Sequence, residues 1–203
     1  MLNVLLSGKL TLFQQLLQYD FYLMFWFNKS FSHPVLDKGA LLMREALFHV
    51  PLYVFILLFV IFNLKRKAWW WILGAIVLIG FSDMLTSHFL KDYFNRPRPC
   101  RDPLMVNYII FLAKYCGANG SFPSSHAVNH FAFATYVFVS LRKLSGYFWL
   151  LFIWASLISL SQVYVGVHYP LDITVGAILG CIFGYIGARI ARHTLSLHNT
   201  LYE

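Results

Sequence analysis

Long apolar stretches separated by short polar segments dominate the sequence. A transmembrane helix needs about 20 predominantly apolar residues to cross a hydrocarbon core of roughly 30 Å. Five stretches approach or exceed this length, although the third is short and needs residues from its flanks. The pattern therefore predicts five membrane spans, at about residues 42–64, 69–90, 127–141, 147–167 and 173–191.

The apolar stretch at residues 10–27 is of a different kind, because Thr11, three glutamines and Asp20 interrupt it. Such a mixture is typical of a helix that lies flat at the membrane interface, with a sixth span as the alternative. Residues 91–125, rich in Pro, Gly and Arg, are expected to form a long loop. The predicted fold is therefore all-α, an integral membrane helical bundle in which residues 1–203 form a single domain.

Composition agrees with this interpretation, since 59% of the 203 residues are hydrophobic and only 12% are charged. Soluble domains have roughly 25% charged residues. The formal net charge of +8 would suit nucleic acid, but the basic residues lie in short clusters between apolar stretches. This distribution favours the lipid bilayer and an anionic lipid as partners, and no nucleic acid. The sequence carries no prediction of an oligomeric state.

The first, third and fifth predicted spans end at basic clusters, at residues 65–67, at residues 142–143, and at Arg189 and Arg192. Because spans alternate in direction, these clusters share one side, which the positive-inside rule places in the cytoplasm. We expect a bacterial inner-membrane protein with a cytoplasmic C-terminus and with loop 91–125 facing the periplasm or exterior.

The outward loop is itself basic, with Lys91, Arg96, Arg98 and Arg101, and a bound anion would explain these charges. Lys91 offers a point charge and Arg98 a planar fork, two ways of holding phosphoryl oxygens. At the same face, Ser124 or Ser125 can cap the third span, whose first-turn N–H groups would point at an anion. These residue types indicate phosphate chemistry.

Three polar side chains near the same face suit proton transfer and nucleophilic attack. His126 lies in the first turn of the third span, where it can reach a leaving-group oxygen. His168 precedes Asp172 by four residues, so the carboxylate can accept the Nδ1 proton and leave Nε2 free as a nucleophile. An alternative is a metal site at His126 and His130. Because no carboxylate is close to them in sequence, we expect no metal to bind there.

Together these segments resemble the three-part signature of the type 2 phosphatidic acid phosphatase family, K-x6-R-P, P-S-G-H and S-R-x5-H-x3-D. In this chain the three parts read Lys91-x6-Arg98-Pro99, Pro123-Ser124-Ser125-His126 and Ser161-Gln162-x5-His168-x3-Asp172. The resemblance implies a membrane lipid phosphatase that works without a metal ion or other cofactor. It also implies that Lys91, Arg98, Ser124 and the backbone near Ser125 hold the phosphate. His168 would become a phosphohistidine, Asp172 would orient it, and His126 would protonate the leaving oxygen.

The chain departs from this signature at two positions. Ser125 replaces a Gly, which adds only a Cβ and a hydroxyl, while Gln162 replaces an Arg beside Ser161. Losing a contact that stabilises developing charge can lower a rate by about 10²–10³-fold. Arg96 or Arg101 could reach into the site as a substitute.

The most specific function predicted is metal-independent hydrolysis of a lipid phosphate or diphosphate, with undecaprenyl diphosphate as the leading substrate. Phosphatidylglycerophosphate, phosphatidate and lipid A phosphates are the other candidates. The alternatives are a lipid phosphotransferase and a non-catalytic lipid-binding relative, the latter because of Gln162. Cys100 and Cys116 lie in the outward loop and could pair in an oxidising compartment.

Overall fold

The computed structural model describes residues 11–197, so the first residue of the predicted interfacial helix and the last six residues of the chain lie outside the described residues. Within residues 11–197 the chain contains helices and no strand, which confirms the predicted fold class. The α-helices are α1 Leu12–Ser30, α2 Pro34–Leu42, α3 Val50–Leu64, α4 Ala68–Met84, α5 Lys91–Phe94, α6 Ser125–Leu141, α7 Leu150–Tyr164 and α8 Pro170–Thr194. The shorter elements are 3-10 turns at Ala46–His49, Lys65–Lys67 and Gly146–Trp149 and a π-helical segment at Leu85–Leu90.

Three helical runs in the described chain are long and apolar enough to cross a membrane, namely Ala46–Phe94, Gly146–Tyr164 and Pro170–Thr194. The first has 49 residues, and a straight helix of that length would extend for roughly 70 Å, more than twice the hydrocarbon thickness. It is interrupted at Lys65, where φ is 50°, and α3 packs against α4. This run is therefore a helical pair. The protein is an integral membrane protein, and the count of five spans stays a prediction.

Helix α6 lies at the centre of the bundle, in contact with α4, α7 and α8. Its closest neighbour is α8, which presents Gly176, Gly180 and Gly184 to it at four-residue intervals. A Cβ at Gly180 would overlap the carbonyl oxygen of Val128 on α6. Small residues at such a stripe let two helix backbones approach closely within a membrane. The contact keeps the N-terminal ends of α6 and α8 side by side, as the hydrogen bond from Ser124 N to the Asp172 carbonyl (3.1 Å) shows.

The loop between α5 and α6 has no regular secondary structure, yet it is tied to the bundle. A disulfide joins Cys100 to Cys116. Asn28 of α1 donates from Nδ2 to the carbonyls of Ile110 (2.9 Å) and Tyr164 (2.7 Å), and its Oδ1 accepts from the Ile110 N–H (2.6 Å). Because Asn28 is 1% exposed, α1 serves as a brace between the loop and α7.

The π-helical segment widens the C-terminal end of the helix that carries Ser87 and Lys91. In a regular α-helix, residues eight apart are rotated by about 80° relative to each other. A π turn contains more residues and reduces this rotation, so Asp83, Ser87 and Lys91 face the same side. All three line the cavity described below.

We expect Gly180→Ala to destabilise the protein, because the new Cβ meets backbone that cannot move aside. Overpacking of this kind typically costs about 1–3 kcal/mol. The measurement is thermal unfolding in detergent. Gly80→Ala on α4 is the matched control, since nothing lies within 4 Å of its added Cβ. Equal unfolding temperatures for the two variants would contradict the close α6–α8 contact.

Candidate active site

A cavity of about 250 Å³ lies where α4, α5, α6 and α7 meet the loop. Six of the predicted site residues line it: Lys91, Arg98, Ser125, His126, Gln162 and His168. Five further polar residues share the cavity wall: Arg44, Asp83, Ser87, Tyr115 and Asn119. The three sequence segments are therefore brought together in space, with cations, imidazoles and hydroxyls around one small opening.

His168 and Asp172 form the pair at the back of the cavity. The Nδ1 atom of His168 lies 3.4 Å from Asp172 Oδ2, while its Nε2 atom lies 3.3 Å from Nη1 of Arg98. Since a guanidinium can only donate, Nε2 is the acceptor, and the ring carries its proton on Nδ1 facing the carboxylate. Both side chains are buried, with 1% and 0% exposed. The lone pair of His168 thus points towards the cavity.

The titration of His168 follows from this burial. Removal from water lowers the pKa of His168 from 6.5 to about 4, and the hydrogen bond with Asp172 opposes the shift only in part. The nearby positive charges of Arg98 and Lys91 lower the pKa further. The imidazole is therefore neutral at physiological pH, as a nucleophile must be.

Asp172 is held by more than His168. Its Oδ2 accepts from the Tyr169 N–H (2.9 Å) and its Oδ1 accepts from Arg96 (2.7 Å). The other arm of Arg96 donates to Asp20 of α1 (2.6 Å), and the guanidinium lies 3.9 Å above the centre of the Tyr169 ring. Asp20 in turn accepts from the Leu171 N–H (2.7 Å). A chain of charges, buried at both carboxylates and partly buried at Arg96, thus connects α1 to the histidine.

Arg98 is fixed by the loop. It donates from Nε to the Asn119 carbonyl (3.0 Å) and from Nη2 to Asn119 Oδ1 (2.9 Å), which leaves Nη1 facing His168. Gly117 allows this approach, because an added Cβ there would lie 3.1 Å from the guanidinium carbon. Lys91, only 4% exposed, lines the same cavity.

The N-terminus of α6 brings the other histidine to the cavity. Ser124 is the N-cap and accepts from the Ala127 N–H (3.5 Å), so its hydroxyl supports the helix and does not line the cavity. Ser125 Oγ, in contrast, lies 3.0 Å from Ser87 Oγ at the cavity wall. His126 faces the cavity, and the ring of His130 lies nearly parallel to it at 6.2 Å.

Neither predicted substitute for the missing motif Arg enters the cavity, which corrects that expectation. Both arms of Arg96 bind carboxylates, and Arg101 donates to the Cys116 carbonyl (3.0 Å) on the loop. Ser161 also points elsewhere, because its hydroxyl donates to the Ile158 carbonyl (2.7 Å). Gln162 does line the cavity, and its buried Oε1 has no hydrogen-bond partner in the described part of the chain.

Sequence reasoning missed four residues that shape this site. Asp20 was placed in an interfacial helix, and Arg44, Tyr115 and Asn119 were not singled out. A carboxylate in an otherwise apolar helix was a signal for Asp20, because such a charge usually faces the protein interior. The other three lie outside the motifs, and only the fold brings them to the cavity.

A larger groove of about 1090 Å³ runs between α4 and α8 near the opposite end of the bundle. Its lining is largely apolar, with Trp70, Leu78 and Phe183 among the contributing side chains. Within the described residues no histidine or carboxylate lines it. The groups able to perform acid–base or nucleophilic chemistry therefore gather at the smaller cavity.

Comparison with known proteins agrees with the motifs. The model of the PAP2 superfamily matches residues 68–194. The lipid A 4'-phosphatase of Porphyromonas gingivalis is 30% identical over 160 residues, covering 78% of this chain and 67% of that protein. The undecaprenyl-diphosphatase BcrC of Bacillus subtilis is 25% identical over 114 residues, covering 56% of this chain and 55% of its own.

A solved structure supports the fold independently. The transmembrane PAP2-type phosphatidylglycerolphosphate phosphatase of Bacillus subtilis superimposes with a TM-score of 0.68 at 22% identity, covering 88% of this chain and 87% of that chain. Its likeness shows a common helical architecture. The family expected from the three motifs is confirmed, and because its model matches more than half of the chain, this protein belongs to the PAP2 superfamily, a family of membrane lipid phosphatases.

Proposed function

We propose that the protein hydrolyses a lipid phosphate through a phosphohistidine formed on His168, without a metal ion. One observation carries this proposal. The Nε2 atom of His168 opens into the cavity beside Arg98, while Nδ1 faces the buried carboxylate of Asp172. A neutral, oriented imidazole next to a guanidinium is the arrangement that attack on a phosphoryl group needs.

The first chemical step transfers the phosphoryl group to the enzyme. Lys91 and Arg98 hold the non-bridging oxygens, and the lone pair of Nε2 forms a bond to phosphorus as the bond to the lipid oxygen breaks. His126 gives its proton to that oxygen. Asp172 stabilises the positive charge that develops on the His168 ring, as a buried carboxylate partner does for histidine.

The second step releases phosphate. A water molecule attacks phosphorus and gives a proton to His126, the bond between Nε2 and phosphorus breaks, and inorganic phosphate leaves. His126 thereby regains the proton that it gave up, and His168 is neutral again. Because burial lowers the pKa of His126 to about 3 in the free protein, His126 must take up this proton together with the anionic substrate. His168 carries the phosphoryl group and His126 carries the proton in both steps, so the cycle closes without any further cofactor.

We propose a phosphate ester of a lipid A-type glycolipid as the leading substrate. The matched lipid A 4'-phosphatase covers 78% of this chain, whereas the matched undecaprenyl-diphosphatase covers 56% at lower identity. Undecaprenyl diphosphate, the substrate expected from the sequence, is the second candidate. The cavity of about 250 Å³ suits a single phosphoryl group with the lipid outside, which is compatible with both.

We further propose that the site faces the periplasm or exterior. Two observations support this orientation. The loop that forms the cavity rim carries the Cys100–Cys116 disulfide, a bond that persists in oxidising compartments. The basic clusters at the C-terminal ends of α3, α6 and α8 lie away from this loop in the predicted topology and favour the cytoplasmic side.

Replacing the proposed nucleophile tests the function. With EDTA present, we expect His168→Ala to abolish phosphate release from lipid A and undecaprenyl diphosphate in detergent, because no phosphohistidine can form. His88→Ala is the matched control, since His88 is exposed and does not line the cavity, and it should retain wild-type activity. Release that needs added metal, or that survives in His168→Ala, would refute the mechanism. Phosphate found on an acceptor lipid would indicate a phosphotransferase.

The lowered pKa of His168 predicts a pH dependence of stability. Between pH 6.5 and about 4, the unfolded chain binds a proton at this residue that the folded chain does not. The free energy of unfolding therefore falls as the pH falls, by about 2 kcal/mol from pH 7 to pH 5. Thermal unfolding at both pH values should show a larger loss for wild type than for His168→Gln. Equal losses would mean that the folded state does not depress this pKa.

Cysteine labelling tests the orientation. In a Cys181→Ser background, a membrane-impermeant maleimide added to intact cells should label Asn107→Cys on the loop. It should label Gly146→Cys, between α6 and α7, only after permeabilisation. Both positions are exposed, and nothing lies within 4 Å of a Cβ at Gly146. The opposite labelling pattern would invert the proposed topology.

A further inference from the structure

Gln162 leaves the cavity without the guanidinium that the family motif places at this position. We propose that Arg44, from the N-terminal part of the chain, binds the phosphoryl group in its place. This inference rests on the proposed phosphatase function, and it assigns a phosphate-binding role to a residue that lies outside all three motifs. The positive charge that Gln162 lacks is then supplied by Arg44.

The location of Arg44 supports this role. Its side chain lines the same cavity as Arg98, Gln162 and His168. Its charge adds to the lowering of the pKa of Arg98, as that of Arg101 does, behind the larger effect of burial, so Arg44 lies close enough to Arg98 to act on it electrostatically. An anion between them would interact with both.

Arg44 also differs from the other arginines near this face in its hydrogen bonding. Its Nε atom is buried and has no hydrogen-bond partner in the described part of the chain. Arg96 bridges two carboxylates, and Arg101 is bound to the Cys116 carbonyl. A buried guanidinium donor without an acceptor is costly, and a phosphate oxygen is the acceptor that it fits best.

The backbone that presents Arg44 is anchored to the helix that carries Gln162. Nε2 of His49 donates to the Met43 carbonyl (3.0 Å), and Nδ1 of the same ring accepts from the Trp154 indole N–H (3.0 Å). Trp154 belongs to α7, as does Gln162. Arg44 is therefore held at a defined position relative to the residue whose role it takes.

Repulsion between cations explains why an Arg at position 44 disfavours a second Arg at position 162. The cavity of about 250 Å³ already contains Lys91, Arg98 and Arg44, with Asp83 as a lining carboxylate. An Arg at position 162 would add a fourth cation at close range, and like charges in a partly buried site repel strongly. A neutral Gln beside Arg44 avoids this repulsion. Gln162→Arg alone should therefore not raise the rate.

The test is a double-mutant cycle with Arg44→Gln, Gln162→Arg and the combined variant, with Arg101→Gln as matched control. Hydrolysis of lipid A and affinity for orthovanadate, which adopts the geometry of phosphoryl transfer, are both measured. We expect Arg44→Gln to lower kcat/KM by about 10²–10³-fold and to weaken orthovanadate binding by at least about tenfold. The combined variant should recover most of both losses, while Arg101→Gln stays close to wild type.

Two results would overturn the proposal. One is an Arg44→Gln variant that matches Arg101→Gln in both measurements. The other is a combined variant no better than Arg44→Gln while Gln162→Arg alone is faster than wild type. If wild type hydrolyses no lipid at all, the phosphatase proposal fails, but the orthovanadate affinities still decide whether Arg44 binds the phosphoryl position.

Discussion

The double ion pair of Arg96, whose side chain is 14% exposed, is the interaction on which the site depends. It binds Asp20 of α1 and Asp172 of α8 and lies over the ring of Tyr169. Burying three charges is costly in isolation, and the planar fork of Arg offsets this cost because each carboxylate receives a short, directed hydrogen bond. The arrangement fixes Asp172, which in turn fixes the proton and the orientation of His168. A helix at the edge of the bundle thus takes part in positioning the proposed nucleophile.

Three arginines near the cavity show how one side chain type is used in different ways. Arg96 is saturated by carboxylates and therefore has no capacity left for a substrate. Arg98 is oriented by Asn119 and keeps one nitrogen on the reacting side. Arg44 keeps a buried donor without a partner. The more hydrogen bonds an arginine makes within the protein, the more it serves the structure and the less it can bind a ligand. Counting positive charges in the sequence could not have revealed this order.

The fold class and much of the site were predictable from the sequence because they depend on short-range patterns. Apolar length predicts helices in a membrane, and the spacing of His168 and Asp172 across a helix start predicts their contact. The prediction that Arg96 or Arg101 replaces the motif Arg was wrong. Proximity in sequence to Arg98 says nothing about which carboxylate or carbonyl each guanidinium binds. Asp20 was missed because Arg96 and Leu171, which it binds, lie 76 and 151 residues away along the chain. Arg44 was missed because only the fold brings it to the cavity.

The residues that the motifs do not contain come largely from one part of the molecule. The family model begins at residue 68, whereas Asp20, Asn28, Arg44 and His49 all precede it. Through these residues the N-terminal helices orient Asp172, brace the loop between α5 and α6 and place a cation at the cavity. The segment after residue 68 supplies the two histidines proposed to react, and the segment before it completes their electrostatic surroundings. Differences between members of this superfamily at the phosphoryl site can therefore arise outside the part of the chain that defines the family.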